Sequence, residues 1–219
     1  MSEKISRPPR IVWFGFSFLF ALLGVPYAIW LVQTLQHPPL PLRVIGPVAL
    51  FTLTNQDAQV VSLADFTNHV WVADIVFTRC AGPCPRLTAQ MKSLQEKLPV
   101  EYPTRLVTLT TDPEFDTPEV LKKYGQHFGA DFKRWTFLTG SKSEIATLAS
   151  GSLKLSAQPV KPEERRNDAD LFIHATIMVV VDKHAQLRGF FETGGDGVDW
   201  TNSVQPKLLQ AVRQLESEP

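Results

Sequence analysis

The chain has 219 residues, enough for one globular domain of ordinary size plus an appendage, and 22 Lys+Arg balance 22 Asp+Glu. That balance excludes a polyanion such as nucleic acid as the main partner, and a hydrophobic content of 44% with 20% charge excludes a disordered chain. The two cysteines, Cys80 and Cys84, are too few for a disulfide scaffold and too close together to staple much chain. Their value must lie in local chemistry.

Residues 1–10 form a short tail carrying Lys4, Arg7 and Arg10. Residues 11–32 contain no ionisable side chain except Tyr27. As a helix they would be about 33 Å long, which is enough to cross a bilayer. Trp13 near one end and Tyr27 and Trp30 near the other suit interfacial belts, and Gly24 and Pro26 are tolerated inside membrane helices. The exit, Leu31-Val-Gln-Thr-Leu-Gln36, lacks a small-x-small cleavage site, so an uncleaved anchor is expected rather than a cleaved signal. Positive residues precede the span, and the first one after it is Arg43. The N-terminus is therefore expected in the cytoplasm and the rest across the inner membrane, in a bacterium's oxidising periplasm. Residues 33–47, with His37-Pro-Pro-Leu-Pro-Leu, read as an extended stalk.

The folded domain is expected over 48–219. Pro47–Leu53 and Gln59–Leu63 flank the turn-like Thr54-Asn-Gln-Asp57 and predict an opening hairpin. Val70–Phe77 is an almost continuous apolar run of strand length, as for a strand covered on both faces. Leu87, Met91, Leu94 and Leu98 then recur at helical spacing behind Cys84-Pro85, with Pro85 in a first turn. Leu106–Thr110 predicts a strand, and Asp116-Thr-Pro-Glu opens a helix to about Phe128, capped by Asp or Thr. Trp135–Leu138 predicts a strand, and Ser141-Lys-Ser-Glu144 a capping box. The polar stretch Ser156–Asp170 reads as a surface loop or lid. Ile173–Val181 and Gln186–Glu192 predict two strands around a turn, and Val204–Leu215 a closing helix.

This order of strands and crossover helices, ending in an antiparallel hairpin and a helix, describes a thioredoxin-like α/β three-layer sandwich with an N-terminal hairpin. Cys80 and Cys84 fall where a strand ends and a helix begins. There, unpaired amides and the helix dipole are expected to lower thiol pKa values, giving thiolates that attack disulfides or bind metals. An inert short disulfide or two buried apolar thiols is the alternative.

Redox sites on this fold normally use Cys-x-x-Cys, whereas Phe77-Thr-Arg-Cys-Ala-Gly-Pro-Cys-Pro85 places three residues between the cysteines. It resembles the Cys-x-x-x-Cys-Pro motif of the SCO/SenC family of copper-binding assembly proteins. Asp112-Pro-Glu-Phe-Asp-Thr-Pro-Glu119 is similar to a second family feature, and Ile173-His-Ala-Thr-Ile-Met-Val-Val-Val-Asp182 to a third. The resemblance covers roughly residues 48–215 and the single anchor. It implies a copper site made of Cys80, Cys84 and His174, and a carrier rather than an enzyme. The implied recipient is the dinuclear copper site of a cytochrome c oxidase subunit, or another membrane copper protein, with no small-molecule substrate. Two soft thiolates and an imidazole suit copper independently of the resemblance.

His37, His69, His127 and His184 lack such a context and read as core or surface residues; Met178 reads as core packing. No Pro stands in the His174-Ala-Thr segment, where thioredoxin-like oxidoreductases carry a cis-Pro, which favours copper over general disulfide exchange. Gly82 departs from the acidic residue the family often has inside its motif. Asp74, six residues before Cys80 in an apolar strand, reads either as a buried general base for thiol-disulfide chemistry or as a carboxylate bonded to the backbone or to Arg79. The alternative function is thus an oxidoreductase that reduces a partner's copper-ligand cysteines. Asp112, Glu114, Asp116 and Glu119 are explained by helix capping rather than by a hard-metal site.

Overall fold

The structure is a computed structural model that describes residues 20, 22–30, 42–155, 157–159, 172–174, 176–195 and 197–219; for 157–159 and 172–174 it describes the backbone alone. The chain divides into two compact units, Met1–Pro41 and Leu42–Pro219. In the first, residues 22–30 form helix α1. Most of the predicted span, the tail and stalk residues 33–41 lie outside the described residues. Among the described residues no helix is long and apolar enough to cross a membrane.

The second unit is built on a mixed sheet of eight strands. In chain order these are β1 (Gly46–Pro47), β2 (Thr52–Asn55), β3 (Val60–Ser62), β4 (Trp71–Val76), β5 (Arg105–Thr110) and β6 (Trp135–Thr139), then β9 (Ile177–Val181) and β10 (Gln186–Glu192). Two further strands, β7 (Ala157–Pro159) and β8 (Phe172–His174), pair in a separate ribbon. The spatial order of the large sheet is β1-β10-β9-β4-β5-β6-β2-β3. β4, β5 and β6 are parallel, while β9 runs antiparallel to β4. Parallel pairing needs crossovers, and helix α2 (Cys84–Lys97) and helix α3 (Pro118–His127) supply them. Helix α4 (Lys142–Ala146) follows β6, and helix α5 (Gln205–Ser217) ends the fold.

Alternate residues of each strand feed opposite cores. Trp71, Ala73, Ile75, Val107, Leu109, Val179 and Val181 face one side, against Phe51, Leu53, Phe66, Ile145 and Leu148. Val72, Val76, Leu106, Met178 and Val180 face the other, against Leu87, Met91 and Leu94 of α2, Leu121 of α3, and Leu208, Val212 and Leu215 of α5. Both faces are covered, which is why β4 reads as unbroken apolar sequence. The thiols share the second core.

The caps behave as their residue types require. Thr117 accepts from Val120 N with Pro118 behind it, and Ser141 Oγ accepts from Glu144 N at 3.2 Å while donating to Glu144 Oε2 at 2.6 Å. Two strand expectations and one loop expectation are corrected. The run Pro47–Leu53 is divided: Gly46–Pro47 pairs with β10 at one sheet edge, and the chain then crosses to pair β2 with β6 and β3 at the other. Ile173–Val181 is also divided, its first part in the ribbon and its last five residues in the main sheet. Of the predicted lid Ser156–Asp170, residues 157–159 form β7, and 156 and 160–170 lie outside the described residues.

Candidate metal centre

β4 is buried along its whole length, and the chain leaves it through Phe77 into a tight turn, where Cys80 N donates to Phe77 O at 3.2 Å. Ala81 and Gly82 are exposed, and Gly82 N donates to Cys80 Sγ at 3.4 Å. Cys84 is the first residue of α2, with Pro83 as N-cap and Pro85 in the first turn, where its missing N–H is not needed. The two cysteines are thiols, not a disulfide, and are 7% and 1% exposed. The helix start does not lower the Cys84 thiol as expected. Hydrogen bonding with Cys80 and then burial push it well above the ordinary cysteine range, against a bond from the Phe77 backbone. Beneath it, Thr88 Oγ1 donates to Cys84 O at 3.0 Å and lies 2.8 Å from the Tyr124 hydroxyl, whose pKa burial raises.

The expectation that the carboxylates of 112–119 cap α3 is corrected: Thr117 is the cap, and Asp112 and Asp116 instead bond the loop that leads into Cys80. Thr78 donates to Asp116 through both hydroxyl and backbone, and Thr110 Oγ1 adds a third bond at 2.5 Å. Burial raises the Asp116 pKa against these bonds. Arg79 meets Asp112 at 2.5 Å and lies 4.1 Å above the Phe115 ring centre. Residues 78 and 79 are thus bracketed immediately before Cys80. Sequence reasoning missed this role because it assigned the same carboxylates to the start of α3, where Thr117 is the cap. Among the described residues no three His, Cys, Asp or Glu side chains gather as a metal cluster.

Asp74 is fully buried on the cysteine face of β4. Its partner is Thr108, whose hydroxyl donates to Oδ1 at 2.7 Å and accepts from Trp135 Nε1 at 2.9 Å; it is not Arg79. Asp74 Oδ2 is buried with no hydrogen-bond partner among the described residues, and burial pushes the carboxyl up to about 7.

His174 ends β8, opposite Ala157 in the ribbon; its ring lies outside the described residues. The backbone after it enters the main sheet at Ile177, and the register Ala73↔Val179 puts that entry beside the end of β4 from which the cysteine loop departs. Met178 is on a different strand from His174 and packs in the core. The other histidines keep structural surroundings: His69 is partly buried, His127 stands edge-on to Phe128, and His184 Nε2 lies 3.1 Å from Pro219 O. His37 lies outside the described residues.

A dithiol at a strand-to-helix junction, on a parallel core flanked by an antiparallel hairpin, defines a thioredoxin-like protein. The sequence profile of the SCO1/SenC family matches residues 46–208, and the chain belongs to that family. It is 44% identical over 115 residues to the SCO1 protein homolog of Bacillus subtilis (strain 168), a match covering 52% of this chain and 58% of that protein's length. The solved structure of BsSco, a member of the Sco family of cytochrome c oxidase assembly proteins with a disulfide switch, is 32% identical at a TM-score of 0.67, covering 82% of this chain and 99% of that one. A SCO1/SenC family lipoprotein from Bacillus anthracis str. Ames is 27% identical at 0.63, covering 78% and 95%. Copper-bound Bradyrhizobium japonicum ScoI, 17% identical at 0.62 over 77% and 99%, shares the fold.

Proposed function

We propose that the protein carries copper as cargo between Cys80, Cys84 and His174 and delivers it to the dinuclear copper site of cytochrome c oxidase during assembly. The observation that carries this reading is the reduced, adjacent and buried thiol pair at the strand end. Two soft sulfurs suit Cu(I), and an imidazole extends the set to Cu(II). The thiols must give up protons to bind, so uptake releases protons, and a Cys80–Cys84 disulfide prevents it. Copper-bound family relatives support the assignment. Anaerobic Cu(I) titration of the reduced chain against a competing chelator tests it. Tight one-to-one binding lost in Cys80→Ser, Cys84→Ser and His174→Ala is expected; binding indifferent to His174 would sink the three-ligand site.

The domain is held at the inner membrane of a bacterium by residues 11–32, with the N-terminus in the cytoplasm and residues 48–219 in the periplasm. The charge pattern supports this, as do the apolar side chains of α1: Leu22, Val25, Ile29 and Trp30 are all more than half exposed. Protease added outside spheroplasts should degrade the domain; protection would reverse the topology.

Asp74 favours a second reading, thiol-disulfide reduction of a partner's copper-ligand cysteines. Cys80 as thiolate attacks the partner disulfide, and Cys84 resolves the mixed disulfide, its proton passing to Asp74. The partner gains two electrons and an external dithiol reductant restores the pair. Catalytic turnover of a partner disulfide by copper-free protein, lost in Asp74→Asn, is the expected signature; stoichiometric metal transfer alone would exclude it.

A further inference from the structure

Gln90 lies in α2, six residues after Cys84, about 9 Å along the helix axis. Its side-chain amide donates to Thr193 O at 2.9 Å. Thr193 closes on Thr176 in turn, its N–H and its hydroxyl both donating to Thr176 O, at 2.7 and 2.9 Å. Thr193 follows the last residue of β10 and Thr176 precedes the first of β9. The helix that begins with Cys84 is thereby clasped to the open end of the β9–β10 hairpin. Contact at this junction is close: a Cβ on Gly194 would stand 2.8 Å from Thr176 Cβ and would also collide with the Arg86 guanidinium.

Thr176 is two residues downstream of His174, and two residues of chain reach about 7 Å at most. Whatever holds Thr176 against α2 therefore limits how far the backbone at His174 can stand from the helix that carries Cys84. Stability alone does not account for a glutamine here. Its Oε1 is buried without a partner among the described residues, an unfavourable state that a leucine of similar size would avoid.

We propose that Gln90 is the positioning residue of His174, acting through Thr193 and Thr176 to hold the imidazole-bearing strand end within reach of the thiol pair. The inference rests on the copper reading above. Its test is a double-mutant cycle on the full-length chain in detergent: anaerobic Cu(I) affinity of wild type, Gln90→Leu, His174→Ala and the double variant. The thermal midpoint and the dithiol reduction potential of the metal-free proteins are measured beside it. Gln90→Leu should lower affinity about tenfold, the scale on which outer-shell residues act, with both metal-free properties unchanged. Gln90→Asn, one methylene too short for Thr193, should fall with it. In the His174→Ala background Gln90→Leu should add nothing. An equal loss in both backgrounds, or none in wild type, overturns the clasp while leaving the copper site standing. A wild-type chain that fails to bind copper, or binds it regardless of His174, overturns the copper reading and this inference together.

Discussion

The two ends of the sheet treat buried polar groups in opposite ways. At the base, Arg188 is buried beside Asp182, bonding it at 2.6 Å and Glu218 at 2.8 Å, while its other nitrogens donate to Leu42 O at 3.1 and 2.7 Å. Asp182 Oδ1 accepts from His184 N and Gln186 N, and Lys183 holds the carbonyls of Glu216 and Glu218. Every ionised group in this knot has partners, and only the neutral His69 Nδ1 and Trp71 Nε1 are left over near it among the described residues. Toward the cysteines the unsatisfied atoms include a carboxyl oxygen of Asp74, the Gln90 carbonyl and the Thr111 hydroxyl. The base is built for holding chain ends together. The cysteine side keeps polar groups in reserve, as expected where chemistry rather than stability selects the residue.

The base should be the more fragile to a single change. Arg188→Leu strands Asp182 as a buried charge and should destabilise the domain by about 3–5 kcal/mol in urea titration. Cu(I) affinity of the folded fraction should stay constant. A parallel loss of affinity would show that the two ends are coupled and would break the contrast.

Asp74 should respond in the opposite sense. Its carboxyl is raised from 3.8 to about 7, so between those values the folded state holds a proton that the unfolded state has lost. Stability therefore falls as pH rises through that window, and is fully retained only below it. Asp74→Asn removes the penalty. It should match wild type near pH 4 and exceed it at pH 8 by on the order of 4 kcal/mol, read from urea midpoints of the reduced protein. A variant less stable than wild type at pH 8 would mean that the ionised carboxylate has a partner.

The same contrast marks what the sequence makes legible. β4, α2, β5, α3 and β6 are visible because local signals agree with the fold: an apolar run of strand length, leucines at helical spacing, Thr117-Pro118 at a helix start. The thiol pair is equally plain from its position between them. The division of Ile173–Val181 is not, because no Gly or Pro marks it. What divides it is the bonding of Thr176 O by Thr193, a contact between residues 17 positions apart. Arg188 hides similarly, as one charged residue in an amphipathic hairpin whose partners come from both ends of the domain.

The loop bracket gives an intermediate effect. Thr78→Val removes a hydroxyl bond to Asp116 and leaves that buried carboxyl with two of its three donors. A loss of about 2 kcal/mol is expected, with faster alkylation of Cys80 as the turn before it loosens. Unchanged alkylation would place the restraint on Cys80 elsewhere, with Arg79 and Asp112 the next pair to remove.

The smallest effect belongs to the other half of the same acidic segment. Asp112 and Asp116 point inward to Arg79, Thr78 and Thr110, whereas Glu114 and Glu119 reach Lys142 and Lys123 at 2.9 and 2.8 Å with about three quarters of each glutamate exposed. Exposed pairs of this kind contribute little, because solvent screens the attraction and two long side chains must be immobilised. Glu114→Ala and Glu119→Ala should leave the urea midpoint unchanged, and added calcium should not move it either, since each of the four carboxylates already has a partner of its own. A calcium-dependent rise would require Asp112 and Asp116 to turn away from Arg79 and Thr78. It would release the bracket on the cysteine loop, and faster alkylation of Cys80 in calcium would expose that exchange at once.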